Sequence, residues 1–166
     1  MTRFATIEIH RDELKFSAGH LMTLSEHARE SLHGHDYQLN VAFRTEVGSN
    51  GLAFDLREYR EHLQTLCREL DYHFILPTHS PHIQLKEETN KWEIHFSNET
   101  FSFLKKDTVV LPITNVTLEE LSWWFLQQLT QSPESLQNKG IHAIAVKIFN
   151  GRGESANCHW GEWLPV

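Results

Sequence analysis

The chain has 166 residues, 40% of them hydrophobic and 22% charged, with a net charge of −7 at neutral pH and 12 histidines. These values fit a single soluble domain over 1–166, long enough to close its own core. A pI near 5.9 leaves no broad basic face for nucleic acid, and no apolar run approaches the ~20 residues of a membrane helix, so neither partner is expected. The opening Met1-Thr2-Arg3-Phe4 lacks the apolar core of a signal peptide, and Cys67 and Cys158 lie in no CxxC pair. Both features predict a cytoplasmic protein without a disulfide framework.

Residues 4–17 read as a strand, with Phe4, Ile7, Ile9, Leu14 and Phe16 apolar and a bulge or turn at His10-Arg11-Asp12-Glu13. Residues 21–32 lose all periodicity and form a loop. Strict alternation over 37–43 predicts a half-buried strand, and antiparallel pairing of the two strands brings His20 close to His33 and His35. Gly48-Ser49-Asn50-Gly51 is a turn signal. Asp55 with Glu58 forms a capping box for a helix whose stripe is Leu56, Tyr59, Leu63, Leu66 and Leu70. Residues 82–111 read as an inserted antiparallel hairpin, with Ser97-Asn98-Glu99-Thr100 as its connection. Thr117 with Glu120 repeats the capping box ahead of a second helix, packed through Leu118, Leu121, Trp124, Phe125 and Leu129 and stopped at Ser132-Pro133. Strands follow over 141–149 and 156–164, separated by Asn150-Gly151-Arg152-Gly153. The order ββαββαββ says α+β.

The chemistry concentrates at His33-Gly34-His35, with His20 upstream. Imidazoles one residue apart on a strand share a face, and the glycine between them admits a close third group. Neutral imidazole is the commonest side-chain ligand for zinc, and three histidines with an open fourth position are an arrangement of catalytic zinc sites. In a chain with 12 histidines an HxH pair also arises by chance, so spacing alone leaves metal binding open.

Phe16-Ser17-Ala18-Gly19-His20, Leu32-His33-Gly34-His35-Asp36-Tyr37, Gly51-Leu52-Ala53-Phe54-Asp55, Leu70-Asp71 and Asn115-Val116-Thr117-Leu118-Glu119 together resemble the motif blocks of the 6-pyruvoyl-tetrahydropterin synthase family. That family includes the 6-carboxytetrahydropterin synthases of queuosine biosynthesis. The resemblance implies a T-fold: an antiparallel four-stranded sheet with two helices on one face, subunits closing a β-barrel, and a homo-oligomer, usually a hexamer of two stacked trimers, with active sites between subunits. It implies Zn2+ on His20, His33 and His35 and a pterin-shaped pocket in which the glutamate matching Glu119, beside Thr117, contacts the ring. Thr117 as an N-cap and Glu119 in a first helical turn also have purely structural explanations.

The catalytic positions depart from the family pattern. Where the synthases carry a cysteine four residues before HGH, this chain has Arg29. The family's L-D-H histidine falls on Tyr72, with His73 one residue later, and the glutamate that grips the pterin falls on Asn150, with Glu154 able to replace it through a register shift. Glu30, three residues before His33, gives E-x-x-H-G-H. This resembles a subgroup implicated in folate synthesis that cleaves dihydroneopterin to 6-hydroxymethyl-dihydropterin, where a carboxylate beside the metal moves protons. Glu30 as a solvated loop residue is the plainer alternative. Asp71 and His73 read either as an acid orienting a base or as a helix-end contact and a packed ring. The expectation is a zinc-dependent lyase on the side chain of a reduced pterin, with catalytic Glu30, Asp71 and His73. The alternatives are a 6-carboxy- or 6-pyruvoyl-tetrahydropterin synthase using dihydroneopterin triphosphate, and a non-catalytic paralogue that binds zinc and pterin.

Overall fold

The computed structural model describes residues 2–151 and 153–163. In chain order the elements are β1 (Arg3–His20), β2 (His33–Val47), α1 (Leu56–Leu70), β3 (His73–Pro77), β4 (Gln84–Glu87), β5 (Lys91–Phe96), β6 (Glu99–Leu104), β7 (Thr108–Leu111), α2 (Leu118–Leu129), α3 (Pro133–Asn138), β8 (Ile141–Asn150) and β9 (Ser155–Gly161). Leu164, expected at the end of the last strand, lies outside the described residues. No described helix is long and apolar enough to cross a membrane.

The main sheet has six strands in the order β7-β3-β1-β2-β8-β9. The antiparallel set β1, β2, β8 and β9 is the expected four-stranded core. The other two strands correct that count: β3 lies parallel to β1, and β7 lies parallel to β3. A five-residue strand that follows a helix after two residues and is half-buried or buried throughout carries no alternation to read. Residues 84–104 form a separate three-stranded sheet, β4-β5-β6. Its β5–β6 hairpin turns on Ser97-Asn98 alone, with Phe96 opposite Glu99 and Ser97 at φ +51°.

α1 and α2 cover one face of the main sheet. Leu63, Leu66 and Leu70 of α1 and Leu121, Phe125 and Leu129 of α2 share a core with Phe16, Leu39, Val41, Phe43, Ile144, Val146 and Ile148 of the strands. Asp55 and Thr117 cap these helices, accepting from the amides of Arg57 and Glu120. The acidic halves of the expected capping boxes do not close. Glu58 pairs with Lys139 at 2.7 Å and Glu120 accepts from the Thr114 amide at 2.7 Å. Pro133 does not merely stop α2; it starts α3, since proline's missing N–H costs nothing in a first helical turn. A second core joins Leu21, Leu76, Ile83, Ile94 and Phe96, with Phe74, Phe101 and Phe103 at its margin.

Candidate metal centre

The site begins with the register of β1 against β2. His20 stands opposite His33, Ala18 opposite His35 and Phe16 opposite Tyr37. All point to the core side, where Phe16 and Tyr37 stack with ring centroids 4.9 Å apart. The interruption expected near His10 decides this parity. From His10 to Lys15 β1 advances five residues while β2 moves only two, from Asn40 to Gln38. Three extra residues, an odd number, reverse the inward set. Ile9 faces the core before the bulge; Leu14, Phe16, Ala18 and His20 face it afterwards. The Gln38 amide stitches the bulge by donating to the carbonyls of Arg11 at 2.9 Å and Leu14 at 3.0 Å.

The glycine of HGH serves strand contact. A Cβ at Gly34 would lie 2.7 Å from the Ala18 carbonyl oxygen, so any side chain there would force β1 and β2 apart. The close third group is therefore the backbone of β1.

The three imidazoles converge through Nε2, with His20 to His33 at 3.2 Å and His33 to His35 at 3.1 Å. The far nitrogens of His20 and His33 explain how two of them are oriented. His20 Nδ1 lies 3.0 Å from the Val116 carbonyl and His33 Nδ1 lies 2.7 Å from the Ser31 carbonyl. A carbonyl only accepts, so each Nδ1 carries the proton and each Nε2 turns a lone pair to the centre. His20 is 3% exposed; burial first, then the neighbouring His33 and His35, pushes its pKa down to about 4 and keeps it neutral. With His35 Nε2, the three ligand nitrogens lie within 4.8 Å of one another, close enough to share one cation. Metal–nitrogen bonds of about 2.0–2.1 Å at tetrahedral angles span about 3.3 Å between nitrogens. The donor set and spacing therefore fit a tetrahedral metal with one position open.

Glu30 reaches this cluster from the loop: its Oε2 lies 3.5 Å from His33 Nε2. Beside it opens a cavity of about 460 Å³, bordered by His20, His35 and Glu30 and also by Thr117, Glu119, Asn150 and Glu154. Thr117 Oγ1 accepts from the Glu120 amide at 3.3 Å, so its capping role is real. Glu119 is exposed in the first turn of α2, on the border of the cavity. Asn150 and Glu154 close the β8–β9 turn on each other: Asn150 Nδ2 donates to Glu154 Oε2, and the Glu154 amide donates to Asn150 Oδ1 at 3.2 Å. The carboxylate absent at 150 thus stands directly beside that position.

Asp71 and His73 are not brought into this cavity. The Asp71 carboxylate accepts from the Ser17 amide at 2.8 Å, and the Tyr72 amide donates to the Ser17 carbonyl at 2.7 Å. His73 Nδ1 lies 2.8 Å from the backbone carbonyl of Asp71, with no bond to its carboxylate. His73 lines a second cleft of about 470 Å³ with Ser17, Asp36 and Tyr72, on the outward side of β1 and β2. Tyr72 there has φ +57° and is 84% exposed. His27, at the exposed tip of the loop, pairs with Glu26 at 3.3 Å and does not line the cavity.

Other contributors leave little trace in sequence. The carbonyls of Ser31 and Val116 orient two imidazoles, and a backbone atom has no residue-type signal. Asn115 binds both backbone polar groups of Thr23, accepting from its amide at 3.2 Å and donating to its carbonyl at 2.7 Å. Only its place ahead of Thr117 could have drawn attention to it.

A family description, 6-pyruvoyl tetrahydropterin synthase, matches residues 8–160. The chain belongs to this family. It is 26% identical over 144 residues to a Methanocaldococcus jannaschii protein provisionally named 6-carboxy-5,6,7,8-tetrahydropterin synthase, covering 86% of this chain and 88% of that one. The crystal structure of Plasmodium vivax 6-pyruvoyl tetrahydropterin synthase superposes with a TM-score of 0.89 at 26% identity, over 96% of this chain and 99% of that one. Two variants of that enzyme, similar to the same extent, replace a glutamate described as a catalytic residue with cysteine or alanine. The Plasmodium falciparum enzyme gives a TM-score of 0.88 at 27% identity, with the same coverage. The expected T-fold is thereby established, with β3 and β7 extending its sheet.

Proposed function

We propose that the protein is a zinc-dependent lyase acting on the side chain of a reduced pterin, cleaving dihydroneopterin to 6-hydroxymethyl-dihydropterin. The observation that carries this reading is the position of Glu30, 3.5 Å from His33 and on the rim of the cavity that holds Glu119 and Glu154. A glutamate described as catalytic in the Plasmodium vivax enzyme supports it. His20, His33 and His35 would hold Zn2+, which when bound supplies Lewis acidity towards the substrate's side-chain oxygens.

Glu30 takes the proton of the hydroxyl on the second side-chain carbon. The bond between the first and second carbons breaks, and its electron pair passes into the adjoining ring C=N. Glu30 then returns the proton to the first carbon, leaving 6-hydroxymethyl-dihydropterin and glycolaldehyde. Glu119 and Glu154 offer carboxylates to the paired N–H donors of the aminopyrimidine; Thr117 caps the helix that carries Glu119, and Asn150 donates to the Glu154 carboxylate. Asp71 and His73 would reach the reaction only in a homo-oligomer, a hexamer of two trimers, that closes the outward cleft against a neighbour.

The name of the archaeal relative favours a second reading, a 6-carboxy- or 6-pyruvoyl-tetrahydropterin synthase using dihydroneopterin triphosphate. Zinc-loaded protein incubated separately with the two substrates tests both. Equimolar 6-hydroxymethyl-dihydropterin and glycolaldehyde from dihydroneopterin are expected. Product from the triphosphate alone would replace the first reading with the second, and no turnover of either would overturn both.

A further inference from the structure

The mechanism leaves the three-stranded sheet and Arg29 unused, and they meet each other. Arg29 reaches across to the β5–β6 turn and binds Glu99 bidentately, Nε to Oε2 at 2.5 Å and Nη2 to Oε1 at 2.7 Å. Its remaining nitrogen, Nη1, donates to the Glu30 carbonyl at 2.8 Å, and its guanidinium lies 4.9 Å from the centre of the Phe101 ring on β6. The Glu30 amide donates in turn to the Met22 carbonyl at 2.9 Å. Both polar backbone groups of Glu30 are thus held, one of them by a side chain anchored on another sheet. At the other end of the loop, Leu21 is fully buried in the core beneath that sheet, with Ile94 and Phe96.

We propose that the β4-β5-β6 sheet is a platform that positions the Glu30 loop, with Arg29 and Glu99 as its latch. The residue at the cysteine position of the synthases thereby acquires a positioning role. Only an arginine fits it, because one planar fork must serve a carboxylate on one side and a carbonyl on the other. Each partner also shifts the other's titration as a fixed pair would: hydrogen bonding to Glu99 raises the Arg29 pKa, and Arg29 lowers that of Glu99. The loop's exposed tip, residues 24–28, has no core of its own, so its placement depends on such tethers. The consequence for turnover rests on the reading of Glu30 as proton carrier.

Glu99→Ala, a change at a partly exposed turn, tests the latch in the zinc-loaded protein. Hydrogen exchange at the Glu30 amide should rise about tenfold while that of Leu39 stays fixed. The kcat for dihydroneopterin should fall about tenfold, with KM and zinc content within about twofold. In a Glu30→Gln background the same change should leave the residual kcat unaltered. Arg29→Lys, which keeps the charge and loses the fork, should not restore parental exchange. Unchanged exchange at Glu30 overturns the latch whatever the chemistry. An equal loss of kcat in the Glu30→Gln background overturns its action through Glu30. Full activity of Glu30→Gln, or no turnover of dihydroneopterin, defeats the functional reading instead, and exchange alone then decides the latch.

Discussion

The three histidines and Glu30 meet at one point but are held by different physics. The histidines stand on two long paired strands, and their direction follows from the pleat, the bulge and the contact of Gly34 with Ala18. Glu30 stands on a loop whose fold is borrowed: Asn115 holds Thr23 on one side, and Glu99 holds Arg29 on the other. A metal site needs fixed ligands, and strands within a core provide them. A proton carrier must approach both the cluster and the cavity, and a tethered loop end allows that. The two regions should therefore fail differently when disturbed.

The largest effect is expected on the strand side. His33→Ala removes one of the three proposed ligands and should abolish stoichiometric zinc and reduce turnover to background, checked by metal analysis of the purified variant. Stoichiometric zinc in that variant would sink the metal assignment. Glu30→Gln should keep zinc and melting temperature but lower kcat about 10²–10⁴-fold; steady-state rates beside metal content separate it from the first variant.

A smaller effect distinguishes the strands through pH. In metal-free protein the His20 pKa is lowered from 6.5 to about 4, mainly by burial. The unfolded chain therefore takes up the proton first. Stability is fully present above pH ~6.5 and is lost as pH falls towards ~4, by roughly 3 kcal/mol at most. Urea unfolding over that range should show the slope and its disappearance in His20→Gln; a flat profile in the parent would contradict the burial argument. The smallest effect is on the loop. Asn115→Ala removes the bonds to Thr23 and should cost about 1–2 kcal/mol, with faster exchange at the Thr23 amide and no loss of zinc. Loss of zinc there would mean that loop and cluster are one mechanical unit.

The family, the α+β class, both long helices and the metal-capable histidines were legible in the chain because each rests on local pattern. Helix stripes, N-caps at Asp55 and Thr117, and a two-residue histidine spacing are read within a few positions. β3 escapes because a short, largely buried strand in a parallel pairing shows no alternation; β7, a four-residue edge strand, falls within the span read as the inserted hairpin. α3 escapes because a proline after a helical stripe signals a stop, although Pro133 also suits a first turn. Thr117, Glu119, Asn150 and Glu154 were expected near the ring and do border one cavity with the cluster. Neither Asp71 nor His73, expected with them, borders that cavity: His73 lines the outward cleft, and the Asp71 carboxylate is bound to the Ser17 amide.

The order of residues along the chain supplies the chemistry: three imidazoles, a glutamate nearby, and an arginine where the synthases keep a cysteine. Tertiary structure alone decided what they do together. Whether His20 faces His33 depends on an odd number of extra residues in a bulge, and a change of parity reverses a whole strand. Whether Arg29 neutralises Glu30 or steadies it depends on Glu99, seventy residues away, and only the packed second sheet brings that carboxylate within 2.7 Å.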